Sequence, residues 1–297
     1  MDLEKTAIDR LKAASDMSLR LYKQPLVITY SGGKDSDVLL HLAEASGIPF
    51  EVLHSLTTAD APQTVYHVRD TFHRLEDKGI KCTVDKHVQP DGSRITMWNL
   101  IPRKLMPPTR VVRYCCSVLK EGGGKDRFIA TGVRWDESAA RKKNRGAMEV
   151  ITSKKENSLI LSNDNSEDRR LFESCQLKGK RVVNPIVDWK TDDVLDYIEA
   201  EHITMNPLYG CGFSRVGCIG CPMAAKAGRE AEFAMFPKFK AAYIRDIRAF
   251  GRMIDEIERR GNTSKGMRWG NGVDVFHWWM DDGVIPGQEV LDGFEEI

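Results

Sequence analysis

The sequence predicts an α/β protein: a doubly wound, mostly parallel sheet with a phosphate-cradling loop, followed by a helical C-terminal region. Three observations lead there. The apolar run Leu26-Val27-Ile28-Thr29-Tyr30 breaks at Ser31-Gly32-Gly33 and reopens as a helix through Asp37-Val38-Leu39-Leu40-His41-Leu42. Further strand-like runs recur downstream, separated by helix-length stretches, which is the pattern of βαβ units. The 297 residues, 41% hydrophobic and 29% charged, can bury one large core, or a core with an appendage.

In chain order, residues 1–24 read as an amphipathic lead-in helix. The first βαβ unit is Leu26–Tyr30, a helix through Ala45, and a strand at Phe50–His54. A second helix is expected from Pro62 to Lys78, because proline suits a first turn and Gly79 follows the end. A short strand near Lys81–Val84 and a helix over Ile95–Leu105, closed by Pro107-Pro108, come next. Phe128–Val133 and Arg181–Val187 read as strands. Between them, residues 141–180 turn charged and polar and read as an insertion or mobile loop beside the site. Thr191–Ile198 reads as a helix with Thr191 or Asp192 near its N-cap. Residues 229–260 read as helical, and Phe276–Met280 as an apolar docking segment. The expected division is a domain at 1–228 and a helical extension at 229–297.

The loop Ser31-Gly32-Gly33-Lys34-Asp35-Ser36 carries the first chemistry. Its glycines allow a tight turn that brings backbone N–H groups to an anion, and the following helix adds its positive N-terminal end. Lys34 supplies a mobile charge; Ser31 and Ser36 supply hydroxyls. The spacing is neither that of Walker A nor of the Gly-x-Gly-x-x-Gly dinucleotide turn.

A net charge of +1 gives no bulk argument for nucleic acid, and the basic runs at 141–145 and 178–181 read as solvated loops. No stretch approaches the ~20 apolar residues of a membrane span. With no signal-type leader, the expected location is the cytoplasm.

Seven cysteines occur, at 82, 115, 116, 175, 211, 218 and 221. Their odd number and clustering point to metal or thiol chemistry rather than a disulfide framework. Cys115-Cys116 with Cys218-Ile219-Gly220-Cys221 can supply four thiolates, for a structural zinc or a [4Fe–4S] cluster. Adjacent side chains diverge, which suits separate iron corners better than one tetrahedral zinc. Cys82 and Cys175 read as structural.

The Ser31–Ser36 loop resembles the pyrophosphate loop of the ATP pyrophosphatase superfamily, with its adenine nucleotide alpha-hydrolase-like fold. From about residue 24 to 224 the chain resembles the phosphoadenosine phosphosulfate reductase family in its wide sense. The matching pieces are the loop, Arg113-Tyr114-Cys115-Cys116 with Lys120, and Gly132-Val133-Arg134-Trp135-Asp136-Glu137-Ser138 with Arg141. Asn184–Trp189, Asn206-Pro207-Leu208-Tyr209 and Gly217-Cys218-Ile219-Gly220-Cys221-Pro222 complete the set. The tandem cysteines followed by a basic residue resemble the cluster ligands of adenylylsulfate reductases. This resemblance assigns Cys115, Cys116, Cys218 and Cys221 to the cluster and leaves Cys211 as a free thiol. Cys211 in place of one tandem cysteine is the alternative.

Two departures choose the branch. The sulfonucleotide reductases carry a Ser-Phe-Gly loop and a late Glu-Cys-Gly-x-His nucleophile. Here the loop keeps Lys-Asp-Ser, and no cysteine follows Cys221 in this sequence. The resemblance therefore implies ATP with Mg²⁺, pyrophosphate release by adenylation of an acceptor, and sulfur transfer aided by a [4Fe–4S] cluster. Lys34, Asp35, Arg134 and Cys211 are the expected catalytic residues. Ser31, Gly32, Gly33, Lys34, Asp35, Ser36, Gly132, Arg134 and Arg141 are the expected nucleotide ligands. The sulfur donor would be a cysteine desulfurase or an external thiol. The acceptor, a nucleic acid or a small metabolite, stays open, as does a homo-oligomer. Sulfonucleotide reduction to sulfite, and a non-catalytic nucleotide-binding module with structural zinc, are the competing readings.

Overall fold

The computed structural model describes residues 2–124, 126–151, 159–161, 180–245, 248–261 and 269–281. They fall into two compact units interleaved along the chain. The first comprises Met1–Leu56, Pro62–Asp85 and Gly122–Gly217; the second comprises Thr57–Ala61, Lys86–Glu121 and Cys218–Ile297. The boundary at residue 228 follows chain order, whereas these units draw on three segments each.

The first unit is built on a seven-stranded sheet. Its strands are β1 (Leu26–Thr29), β2 (Phe50–Ser55), β3 (Cys82–Asp85), β4 (Phe128–Ala130), β5 (Met148–Ile151), β6 (Leu159–Leu161) and β7 (Lys180–Val183). The order is β3-β2-β1-β4-β7-β5-β6. β3, β2, β1, β4 and β7 run parallel. β5 and β6 add an antiparallel edge beside β7. The expected mostly parallel sheet is therefore present. The tract at 141–180, read as an insertion or loop, supplies both edge strands; Cys175 lies outside the described residues.

Helices α1 (Leu3–Tyr22), α2 (Lys34–Ser46), α3 (Pro62–Glu76), α6 (Ala139–Asn144) and α7 (Thr191–Ala200) belong to this unit. Val38, Leu39, Leu42 and Ala43 of α2 join Leu26 and Ile28 of β1 and Ala7, Leu11 and Ala14 of α1 in one buried cluster. Each fully buried Val, Leu or Ile among them contributes about 1.5–3 kcal/mol. Asp2 caps α1 by accepting from Lys5 N. Arg10, buried on the same helix, donates to Asp188 and to Pro185 O at 2.8 Å. The start of α7 differs from expectation. Lys190 is its N-cap, and Asp136 accepts from Thr191 N and Oγ at 2.9 and 2.7 Å. An aspartate distant in sequence thus does the capping that local pattern assigned to Thr191 or Asp192.

The second unit is helical: α4 (Met97–Lys104), α5 (Tyr114–Leu119), α8 (Lys226–Met235), α9 (Pro237–Ile244), α10 (Ala249–Arg259) and α11 (Gly272–Met280). Its core is aromatic. Tyr243, Phe250, Phe233 and Phe276 pack about Trp279 with ring centroids 4.9–6.3 Å away. The apolar segment at 276–280 is thus a buried helix end. No described helix is long and apolar enough to cross a membrane.

Candidate functional site

In the sheet order, the chain leaves β1 toward β2 and β3 on one side, while β4 and β7 lie on the other. The reversal point is between β1 and β4, and in open α/β sheets ligands gather beyond the strands' carboxyl ends there. The Ser31–Ser36 loop follows β1, and the Thr131–Ser138 segment follows β4. The topology thus explains why two of the singled-out segments meet.

The loop is tied together by Ser36, whose buried hydroxyl accepts from Ser31 N (3.3 Å) and Gly33 N (3.1 Å) and donates to Gly33 O at 2.7 Å. Ser31 Oγ joins it at 3.2 Å. Gly32 has φ +74°, and a Cβ there would stand 2.9 Å from Val68, so another residue would be both strained and crowded. Gly132 serves a close approach instead: a Cβ would lie 2.9 Å from Asp35 O.

Two cations converge on Asp35. Arg134 Nε donates to Oδ1 at 2.7 Å, and Lys34 Nζ stands 3.7 Å from Oδ2. Arg134 is 2% exposed and also donates to Trp189 O at 3.3 Å. Its guanidinium is therefore engaged by Asp35 and Trp189 O; the sequence has it as a candidate for the α-phosphate or the acceptor. Lys34 is partly buried, with Nζ 5.7 Å from the Tyr209 ring centroid. Arg141 is exposed on α6 and paired with Glu137.

The Asn206-Pro207-Leu208-Tyr209 segment supports the loop. Asn206 Nδ2 donates to Gly32 O at 2.9 Å and to Thr64 Oγ at 3.1 Å. Tyr209 OH accepts from Lys34 N at 3.0 Å, and burial pushes that phenol up to about 12. The signal was an Asn and a Tyr inside a turn-rich segment, without partners visible along the sequence. A second unread group is Asp37, buried in the first turn of α2. It accepts from Tyr30 OH at 2.6 Å and lies 3.0 Å from His67 Nε2. Burial and Asp37 together push the Tyr30 phenol far up.

The second unit holds four of the expected thiols. Cys115 and Cys116 lie on α5, whose N-cap Arg113 donates to Cys116 Sγ at 3.3 Å. Hydrogen bonding from Cys115 and the nearby Arg113 hold Cys116 well below the usual thiol range, and Cys115 rises correspondingly. Cys218 is buried, which pushes its thiol up. It faces Thr57 Oγ at 3.4 Å. Lys120, raised chiefly by Cys218 and further by Cys221 and Cys116, completes a charged centre. Cys115, Cys116, Cys218 and Cys221 thus lie within electrostatic reach of one another. Among the described residues, no three His, Cys, Asp or Glu side chains form a ready metal-binding group. The donor chemistry, four thiols beside Lys120 and Arg113, fits a soft metal ion or iron–sulfur cluster. Cys211 belongs to the first unit and is exposed on the turn Tyr209–Cys211. Burial pushes Cys82 up to about 11, as befits an unreactive thiol.

Comparison with known proteins adds the following. Sulfate adenylyltransferase subunit 2 of Bradyrhizobium is 30% identical over 226 residues, covering 70% of this chain and 62% of that protein. Adenosine 5'-phosphosulfate reductase of Bacillus cereus is 22% identical, covering 74% and 82%. Among solved structures, the U34-tRNA thiolase NcsA of Methanococcus maripaludis, with its [4Fe-4S] cluster, is 13% identical at a TM-score of 0.41, covering 88% of this chain and 80% of that one. The chain spans from a quarter to under two thirds of the length of the first curated relatives it matches. The phosphoadenosine phosphosulfate reductase domain matches residues 25–224, which contain the loop, its Asn206–Tyr209 support and all four clustered thiols. The chain belongs to the phosphoadenosine phosphosulfate reductase family.

Proposed function

We propose that this protein binds MgATP at the Ser31–Ser36 loop, adenylates an acceptor with release of pyrophosphate, and delivers sulfur to the activated position. The observation that carries the reading is the loop itself, turned by two glycines at the sheet's reversal point, with Lys34 and Asp35 opening α2. Phosphate oxygens would take the place that Ser36 Oγ holds on the amides of residues 31 and 33, while Tyr209 OH keeps the amide of Lys34 and so holds the loop in shape. Lys34 neutralises charge developing on the leaving pyrophosphate. Asp35 and Arg134 position Lys34 from behind the loop, and Arg141 is the candidate for the α-phosphate or the acceptor.

An acceptor oxygen attacks the α-phosphorus, the α–β bridging bond breaks, and pyrophosphate departs. A sulfur nucleophile then forms a carbon–sulfur bond as the carbon–oxygen bond to AMP breaks. Cys211, which is exposed, is the proposed persulfide carrier. Its thiol takes the outer sulfur of a cysteine desulfurase's persulfide, whose inner thiol leaves. Once the carbon–sulfur bond has formed, an external thiol cleaves the remaining disulfide to Cys211 and is itself oxidised to a disulfide. Cys115, Cys116, Cys218 and Cys221 would hold a [4Fe–4S] cluster, which when bound supplies a soft site for sulfur chemistry. Arg113 and Lys120 offset thiolate charge there.

The test is pyrophosphate release from ATP by wild type and Lys34→Ala. Wild-type release, lowered at least about 100-fold in the variant with an unchanged melting temperature, is expected. Sulfite from a sulfonucleotide with no pyrophosphate from ATP would establish the reductase reading instead.

A further inference from the structure

The second unit carries a cavity of about 500 Å³ that the reaction above does not use. It is lined by Trp98 of α4, Lys238 and Phe239 of α9, and Arg245 and Arg248 between α9 and α10. Lys238, Arg245 and Arg248 are exposed, and its described lining residues include no carboxylate. Trp98 is half-buried and held by its neighbours. Its ring stands edge-on to buried Tyr243 at 5.0 Å and tilted to Phe239 at 6.1 Å. A fixed aromatic face beside three cations suits a planar aromatic group bearing phosphate. Arg supplies both bidentate phosphate contacts and a stacking plane.

The cations continue past this cavity. α4 packs against α10, and a second cavity of about 470 Å³ on the same helix pair is lined by Arg103, Arg252, Arg259 and Arg260, with Asp255 and Glu256. Glu256 is already neutralised by Arg259 at 2.7 Å and Arg260 at 2.6 Å. Arg248 and Arg252 are one helical turn apart, about 6 Å along the axis. The whole chain has a net charge of only +1, so this band is a local excess of positive charge. A single nucleotide would need only the first cavity; a band of guanidiniums leading away from it matches a chain of phosphates.

We propose that the α4–α9–α10 face binds single-stranded nucleic acid, stacking one unpaired base on Trp98 and carrying the flanking phosphates on Arg245, Arg248 and Arg252. The site stands on the second unit alone. That the bound strand is also the acceptor rests on the adenylation reading.

The experiment is fluorescence anisotropy of the full chain with labelled twelve-nucleotide DNA and RNA, over a salt series and without ATP. Saturable binding of at least one single strand is expected. Arg245→Gln with Arg248→Gln should weaken it at least tenfold and reduce the slope of log affinity against log salt by one to two. Trp98→Leu should weaken it about five- to tenfold with the slope unchanged. Lys12→Gln, an exposed charge on α1, and Lys34→Ala should bind as wild type does, so loss of pyrophosphate release and loss of strand binding are separately visible. Circular dichroism melting checks Trp98→Leu, and the exposed arginines keep the test sound if that variant misfolds. No binding at ~50 mM salt, an equally tight duplex, indifference to the arginine pair, or full competition by AMP at mononucleotide affinity would overturn the proposal.

Discussion

The loop of the first unit and the thiol centre of the second are built to opposite rules. Around Ser31–Ser36 nearly every polar group already has a partner. Ser36 holds two loop amides, Tyr209 a third, and Asp35 is gripped by Arg134. Around Cys115, Cys116, Cys218 and Cys221 the donors are gathered and charge-balanced by Arg113 and Lys120, yet no three of them form a ready metal-binding group. One region is organised by its own hydrogen bonds. The other is gathered, among the described residues, without such bonds between its thiols and the backbone. The difference teaches that the loop is preorganised for an anion, whereas on the proposed reading the thiol centre would gain its final geometry from what it binds.

The sharpest break of that comparison is removal of a thiolate. Anaerobically purified protein is expected to be brown with about four irons per chain, and Cys218→Ser or Cys221→Ser should bleach it entirely, because a hydroxyl is a poor ligand for soft iron. Cys211→Ser should keep the iron, the visible spectrum and pyrophosphate release. Stoichiometric zinc without iron would remove the cluster from the reading. Loss of iron in Cys211→Ser, with retention in Cys115→Ser or Cys116→Ser, would reassign the ligands.

Arg134→Leu attacks the other region. Arg134 is 2% exposed and pairs with Asp35 at 2.7 Å, so truncation leaves a carboxylate facing a buried gap. Asp35 is 23% exposed and keeps some access to water, which puts the expected cost at the low end for such pairs, about 3 kcal/mol. A urea melt reads it. If stability holds while pyrophosphate release falls, Arg134 touches the nucleotide directly, as the sequence had it, and the positioning role is wrong.

How far these regions could be read from sequence follows from how local their causes are. The strand–glycine–helix turn is written in seventeen contiguous residues, Leu26 to Leu42, although α2 begins at Lys34, three residues before Asp37 where the sequence reopened it. The tandem cysteines and the C-x-x-C were visible for the same reason. Tyr209 was not, because its partner Lys34 lies 175 residues away and a tyrosine in a turn looks like any other. The edge strands β5 and β6 were missed because Glu149, Arg181 and the charged tract around them hide the short apolar runs. Glu149 is buried with Asn184 Nδ2, Arg145 and Gly146 N all donating to it. Asp136 capping α7 is a third case, a tertiary contact replacing a local one.

Tyr209→Phe sharpens the loop's side of the comparison with a smaller effect. Removing a hydroxyl that accepts from Lys34 N should cost one hydrogen bond, about 1 kcal/mol, and raise the KM for ATP about fivefold with little change in kcat. A lower KM would mean that the hydroxyl competes with phosphate for the amide rather than shaping the loop.

The smallest effect tests whether the scaffold behind the loop depends on charge at all. Glu44, near the end of α2, accepts from Arg74 of α3 at 2.8 Å and from Lys78 at 2.7 Å. Burial opposes its ionisation, but the hydrogen bonds from Arg74 and then Lys78 outweigh it and hold the carboxyl below its ordinary value. A depressed folded-state value contributes stability that is fully present above the unfolded carboxylate range and is lost as pH falls through the folded value. Arg74 and Lys78 are about half exposed, at 47% and 55%, so solvent screening limits the contribution to about 0.5–1 kcal/mol. Glu44→Gln should therefore lower the melting temperature by a few degrees at pH 7. The gap from wild type should narrow as the pH is brought below 4, and should shrink at 1 M salt. An equal gap at pH 7 and pH 3 would show that Glu44 acts through packing, and that the α2–α3 support of the loop is apolar throughout.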